Sequence, residues 1–175
     1  MDVARFSEPS HSKHGIAIRE SMKGDKRLTF DEELKLFTND RKWDVKTNIV
    51  PALKKGMIVL MDRYYFSTAA YQGCRGVKDF EDILKENEKF SPVPDLTFFF
   101  FADIDDCLKR ISKSRDANTY MERKNNLILV NDIYKKIAQI KGKYVSVWVD
   151  ANKPPEDIFS FVSGYIDKII IKGNW

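Results

Sequence analysis

The sequence predicts an α/β fold with a mainly parallel sheet, and three observations carry that reading. Continuous apolar runs stand at residues 57–61 (MIVLM), 96–101 (LTFFFF) and 144–149 (YVSVWV). Runs of that length, bounded by turn residues, suit strands buried on both faces. Stretches of helical periodicity separate them, and alternating strands and helices build parallel sheets. No linker rich in Gly, Ser or Pro, no repeat and no low-complexity segment divides the chain, so residues 1–175 read as one domain.

The elements follow in chain order. Residues 30–55 read as one helix or two, opening at Thr29 with Asp31, Glu32 and Glu33 in the first turn. Acids there meet the positive end of the helix dipole. The strand at 57–61 leads into a helix over 67–72. After the strand at 96–101, Asp105 and Asp106 are placed to cap a helix over 107–112, and residues 124–141 carry apolar side chains at helical spacing. The last strand, 144–149, precedes a helix over 155–171 that opens with Pro155, Glu156 and Asp157.

Charge and cysteine usage narrow the function classes. Thirty basic residues against 26 acidic leave a net charge of +4, with the two signs interspersed. A nucleic-acid binder would carry a clustered basic stripe, whereas a mild positive balance suits a pocket for phosphorylated small molecules. Cys74 and Cys107 stand in no metal-like or redox spacing and are expected as reduced thiols. No apolar run reaches membrane-spanning length, and the N-terminus has no apolar signal region, so no membrane partner and a cytoplasmic location are expected.

In open α/β sheets ligands bind beyond the carboxyl ends of the strands. The run MIVLM ends there in Asp62-Arg63-Tyr64. A strand-end Asp can hold hydrated Mg²⁺ near phosphates, and an adjacent Arg offers a planar fork matched to a phosphate. A structural ion pair or a solvated strand end would use the same residues. Ser67, Thr68, Tyr71 and Gln72 follow at spacings that put several on one helix face, with Ala69 and Ala70 leaving room beside them. Such a face suits hydrogen bonds to a sugar and a base edge; Ser67 also suits an ordinary helix cap. Upstream, Phe37 and Arg41 are four apart, which sets a ring for stacking beside donors for a base carbonyl, although a Phe at that spacing is more often core.

Taken together, EPSHSKHGIAIRE, EELKLFTNDR, IVPALKKGMIVLMDRYYFSTAAYQG, PDLTFFFFADID with LKRI, and VDANKPPEDI resemble the thymidylate kinase family over nearly the entire chain. The DRY-x-x-S-x-x-AYQG segment is the specific part. The resemblance implies a P-loop NTPase-like three-layer sandwich and transfer of the ATP γ-phosphate to dTMP, giving dTDP for dTTP biosynthesis. It further implies Mg²⁺ as cofactor, ATP as donor and a homodimer. Phe37 would stack on thymine and Arg41 would bond it. Arg63 would grip the acceptor phosphate, and Asp62 would organise Mg²⁺ and its waters, with Glu8 facing the same region through water. Thr68, with Ser67 on the same helix, would lie near the base; Tyr71 and Gln72 would form the deoxyribose wall. Arg110, Arg115 and Arg123 are the candidates for arginines closing over the transferring phosphoryl group, in a lid around 112–124; a solvated surface charge is the other reading of each.

Three departures from the family pattern stand out. No G-x-x-x-x-G-K-[ST] occurs, so no residues are assigned to cradle the ATP phosphates. The opening MDVARFSEP resembles the family's second strand, which leads us to expect that a strand, the loop and its helix, about 30 residues, are missing through truncation or a misplaced start. Robust turnover is not expected from these 175 residues alone. Ser7 stands where the family has Arg before the Glu-Pro pair, Arg5 being out of register, and Thr119-Tyr120 replaces an Asp-Arg pair in the lid. Two alternatives remain open at this point: a non-catalytic nucleotide-binding remnant, or a kinase of another (deoxy)nucleotide.

Overall fold

The computed structural model describes residues 2–23, 28–114, 124–140 and 142–172. It divides into two compact units, Met1–Val93 and Pro94–Trp175.

In the first unit, strand β1 (Val3–Ser7) is followed by helices α1 (Lys13–Lys23) and α2 (Phe30–Asp44), a π-helical turn (Val45–Ile49) and α3 (Val50–Lys54). Strand β2 (Ile58–Asp62) then pairs parallel with β1, from Val3 opposite Ile58 to Ser7 opposite Asp62. Helices α4 (Tyr65–Gly73) and α5 (Phe80–Glu88) complete the unit. In the second unit, β3 (Thr97–Phe101) and β4 (Ser146–Asp150) pair parallel, with α6 (Ile104–Ser114) and α7 (Lys124–Ala138) between them and α8 (Pro155–Lys172) after them.

The expected parallel pairing is present, as two two-stranded sheets among the described residues. Each strand begins one or two residues later than its apolar run and takes in the residue that follows the run or ends it, which makes Asp62 and Asp150 the last residues of β2 and β4. Burial on both faces holds only in part: Phe98 meets Tyr165 of α8 and Phe99 meets Tyr134 of α7, so helices lie on opposite faces of that pair. Leu60 and Phe100 nevertheless remain 47% and 56% exposed. Alternate strand residues face opposite ways, so an apolar run fills both faces whether or not a helix covers every position.

Thr29 opens α2 as expected. Its hydroxyl accepts from the Glu32 N–H, while the Glu32 carboxylate accepts from the Thr29 N–H, a reciprocal capping box. The rod then widens into the π turn just before Pro51. Proline lacks an N–H and its ring crowds the carbonyl of the preceding turn, so a wider turn relieves that conflict. Helix α6 begins at Ile104, which puts Asp105 and Asp106 inside its first turn. They therefore act on the helix dipole rather than as the caps the sequence suggested. Helices α1 and α5 were not read from the sequence.

Ile18, Tyr65, Ala69, Ala70 and Ile83 are fully buried, or nearly so, in the first unit. At the start of α1 the packing requires glycine: a Cβ on Gly15 would lie 2.1 Å from the Ser10 carbonyl oxygen and 2.9 Å from Asp40 Oδ1. Neither neighbour can give way easily, one being backbone and the other a buried, hydrogen-bonded carboxylate. Gly15→Ala is therefore expected to destabilise the protein by about 2 kcal/mol or more, the upper range for overpacking. Urea denaturation checks this; an unchanged midpoint would contradict the close approach.

Candidate active site

The turn after β1 is fixed from two directions. Asp40 of α2, 1% exposed, accepts from the Ser10 N–H at 2.7 Å, from Ser10 Oγ and from Ser12 Oγ. Ser12 Oγ in turn accepts from the His14 and Gly15 N–H groups, satisfying donors that a helix N-terminus leaves open. From α1, the Arg19 guanidinium donates to the carbonyls of Pro9 and Ser10. A cis peptide bond joins Glu8 to Pro9.

This fixed turn presents Glu8 to Arg41. Both side chains are buried, and Glu8 accepts from Arg41 Nε at 3.0 and 3.1 Å and from Nη2. Nη2 also donates to Thr68 Oγ1 at 2.9 Å, and Nη1 donates to Asn87 Oδ1 at 2.6 Å. The guanidinium lies 5.5 Å from the centroid of the Tyr64 ring. Burial pushes the Glu8 carboxyl above its ordinary range against the pull of Arg41, with Asp40 and Asp44 adding to the push. Tyr64 closes this side: its phenol donates to the Pro92 carbonyl at 3.3 Å, and burial pushes its pKa up to about 12, so it stays neutral.

At the carboxyl end of β2 the character changes. Asp62 and Arg63 are exposed, and the Asp62 carbonyl accepts from the Glu8 N–H at 3.1 Å. Arg63 holds φ at 65° in the left-handed region, the one non-glycine residue there among those described. Such a conformation costs on the order of 1–3 kcal/mol and persists only where the surroundings enforce it. Its guanidinium lies 5.5 Å from the Tyr71 ring centroid. An exposed carboxylate and an exposed guanidinium, side by side on a strained strand end, are chemically suited to a phosphate and a hydrated cation.

The structure thus separates the residues singled out from the sequence. Phe37 is half-buried on the same helix as Arg41, one turn away. Ser67 and Tyr71 are partly exposed, whereas Thr68 and Gln72 turn inward at 3% and 1% exposure. Gln72 accepts from Arg75, which pairs with Glu33 of α2. Glu8 faces Arg41 rather than the open strand end. Arg110 belongs to the second unit, where it is exposed and donates to the Ala151 carbonyl at 3.0 Å. Arg115 and Arg123, with residues 115–123 of the expected lid, lie outside the described residues; residues 112–114 end α6 and Lys124 opens α7. The sequence reading missed Asn87, Asp40, Ser10 and Arg19. Only the spacing Ser-x-Ser after Glu-Pro hinted at a structured turn.

Each unit carries a cavity at its strand ends. In the second unit one of about 870 Å³ is bordered by Phe101, stacked on Trp148 at 4.1 Å, and by Asp150, Lys124 and Lys135. In the first unit one of about 280 Å³ lies beside Asp62 and is lined in part by Trp43, Asp44 and Asn48. Among side chains with a described surrounding, Asp44 is unusual: Oδ1 accepts from Asn48, while the buried Oδ2 has no hydrogen-bond partner. Burial raises its pKa above the ordinary 3.8.

That raised value has a definite sign. A carboxyl that holds its proton more tightly when folded loses stability as pH rises from its unfolded value through its folded one. Asp44→Asn keeps the oxygen facing Asn48 and removes the charge. Its stability relative to the parent should therefore rise as pH goes from 4 towards 7 and level off above the folded pKa. Urea denaturation across that range checks this; a flat or falling difference would contradict it.

With this geometry in place, known proteins offer a comparison. The family model described as thymidylate kinase matches residues 1–162. A probable thymidylate kinase of Archaeoglobus fulgidus is 38% identical over 168 residues, which is 96% of this chain and 81% of that protein. The thymidylate kinase of Desulfotalea psychrophila is 40% identical over 79% of this chain and 68% of its own length, and that of Brachyspira hyodysenteriae is 36% identical over 86% and 71%. With a match across most of its length and a turn, a strand end and a helix arranged as described, this chain belongs to the thymidylate kinase family.

Proposed function

We propose that this protein is a nucleoside monophosphate kinase that transfers the γ-phosphoryl group of ATP to dTMP, giving dTDP. Family membership supports the reaction and ATP as the donor. The observation that carries the acceptor side is the strained, exposed Arg63 beside Asp62, one helical turn from a face of hydroxyl and phenol groups. The comparisons favour neither a non-catalytic remnant nor a different nucleotide acceptor.

In this reading Arg63 binds the dTMP phosphate and cancels part of the charge that repels a second polyanion. The acceptor oxygen is already a nucleophile, so positioning and charge neutralisation supply most of the acceleration. Phe37 stacks on thymine, Arg41 faces its carbonyl edge, and Ser67, Thr68 and Tyr71 flank base and sugar, with Gln72 supporting that wall from behind. Of the lid candidates, Arg110, Arg115 and Arg123 are proposed to act on the transferring group. Mg²⁺ fits the residues present: Asp62 offers an exposed carboxylate at the strand end, and Mg²⁺ is usually held by one or two carboxylates with waters and phosphates. Asp62 would hold such an ion, with Glu8 reaching it only if its pair with Arg41 opened. The ion when bound would neutralise phosphate charge.

A homodimer in the cytoplasm, acting on dTMP and ATP without nucleic acid or membrane, completes the proposal. Family resemblance supports the dimer. Interspersed charge, and the absence among described residues of a helix long and apolar enough to cross a membrane, are compatible with the rest.

Acceptor binding tests this directly. In calorimetric titration the chain should bind dTMP in preference to dCMP. Arg63→Gly removes the phosphate contact while relieving the left-handed backbone, so it should fold at least as stably as the parent yet bind dTMP at least tenfold more weakly, the equivalent of one charge-assisted hydrogen bond. A folded parent with no affinity for dTMP, or a variant with unchanged affinity, would overturn the assignment.

A further inference from the structure

We infer that Asn87 of α5, 46 positions from Arg41 in sequence, is a positioning residue that sets base selectivity through Arg41. The inference rests on the proposed acceptor reading and deepens it. A guanidinium has five N–H donors in one plane. In Arg41 the single Nε hydrogen is shared between the two Glu8 oxygens, and the two on Nη2 go to Glu8 and Thr68. One on Nη1 goes to Asn87. One hydrogen, also on Nη1, has no partner among the described residues, and in the proposed reading the base takes it.

Glu8 and Thr68 hold the Nε–Nη2 side of the plane. The opposite corner, Nη1, is held by Asn87, so without that contact the fork can rock about the edge that Glu8 grips. Asn87 is itself fixed: it is 2% exposed, and its amide nitrogen donates to the Ile83 carbonyl at 2.7 Å one turn earlier in α5. Its chemistry also matters. Its amide oxygen takes one hydrogen of Nη1 and leaves the other unclaimed. A lone donor at a fixed point selects a base with a carbonyl there. Thymine presents an acceptor oxygen at its 4-position, where cytosine presents an amino donor.

The test compares dTMP and dCMP affinities, by calorimetric titration, for the parent, Asn87→Leu, Asn87→Ser and Asn87→Asp, each checked for folding by its thermal midpoint. Leu and Ser remove the acceptor that faces Nη1, and either one that folds suffices; Asp keeps it. The expected result is a loss of dTMP affinity on the order of tenfold in the Leu and Ser variants. Affinity for dCMP should change by less than about twofold, narrowing the preference, and Asp should restore it. A purely structural role would move the thermal midpoint and leave the ratio alone. A folded Leu or Ser variant with the parent's ratio overturns the role of Asn87 while leaving the acceptor reading intact. A parent that does not prefer dTMP removes both.

Discussion

A buried ion pair between Glu8 and Arg41 is the interaction on which the first unit depends. Taking two charges out of water costs several kcal/mol per ion, and attraction offsets that only when the remaining donors and acceptors are satisfied. Here they are satisfied by groups distant in sequence: Thr68 lies 27 residues from Arg41, Glu8 33 and Asn87 46. The turn after β1, α2, α4 and α5 thus meet at one guanidinium. Asp40, immediately before Arg41, anchors the same turn through Ser10 and Ser12, so two adjacent residues of α2 fix both the position and the electrostatics of that corner.

The proposed site at this corner has a buried end and an open end. Arg41, Thr68, Gln72 and Asn87 are almost wholly buried, whereas Asp62 and Arg63 stand in solvent. Recognition of a base needs donors and acceptors held in place, because selectivity comes from the penalty of leaving them unmatched. Phosphate binding needs charge that is accessible to an incoming polyanion and able to follow it. The left-handed backbone at Arg63 is the physical seam between the two: the exposed pair Asp62 and Arg63 ends there and the buried Tyr64 follows.

How much of this the sequence made legible follows from which signals are local. Apolar runs located β2, β3 and β4 to within one or two residues, and Thr29 with the three acids after it located the start of α2, because strand cores and helix starts are written in neighbouring residues. The Asp-Arg strand end was legible for the same reason. Helix α5, FEDILKENE, was not: it is short and mostly charged, with Ile83, Leu84 and Asn87 as its buried residues. Asn87 gives no local sign of burial, since its partner is an arginine 46 positions away. The expected single polar face on α4 divides in the structure: Thr68 faces inward to the buried Arg41 of α2, and Gln72 accepts from Arg75, which lies just past the end of α4 and pairs with Glu33. Glu8 was read as facing phosphate and metal; its position opposite Arg41 is likewise a long-range fact.

The most direct measurement is a double-mutant cycle between Glu8 and Arg41, using Glu8→Gln, Arg41→Met and the pair, followed by urea denaturation at neutral pH. Removing either partner strands a buried charge or its donors and should cost about 3–5 kcal/mol. The double variant should cost less than the sum of the two by about 1–3 kcal/mol, since neither charge then remains uncompensated. Additive costs, agreeing within about 0.5 kcal/mol, would mean that the two side chains act independently and that the corner is organised by something else.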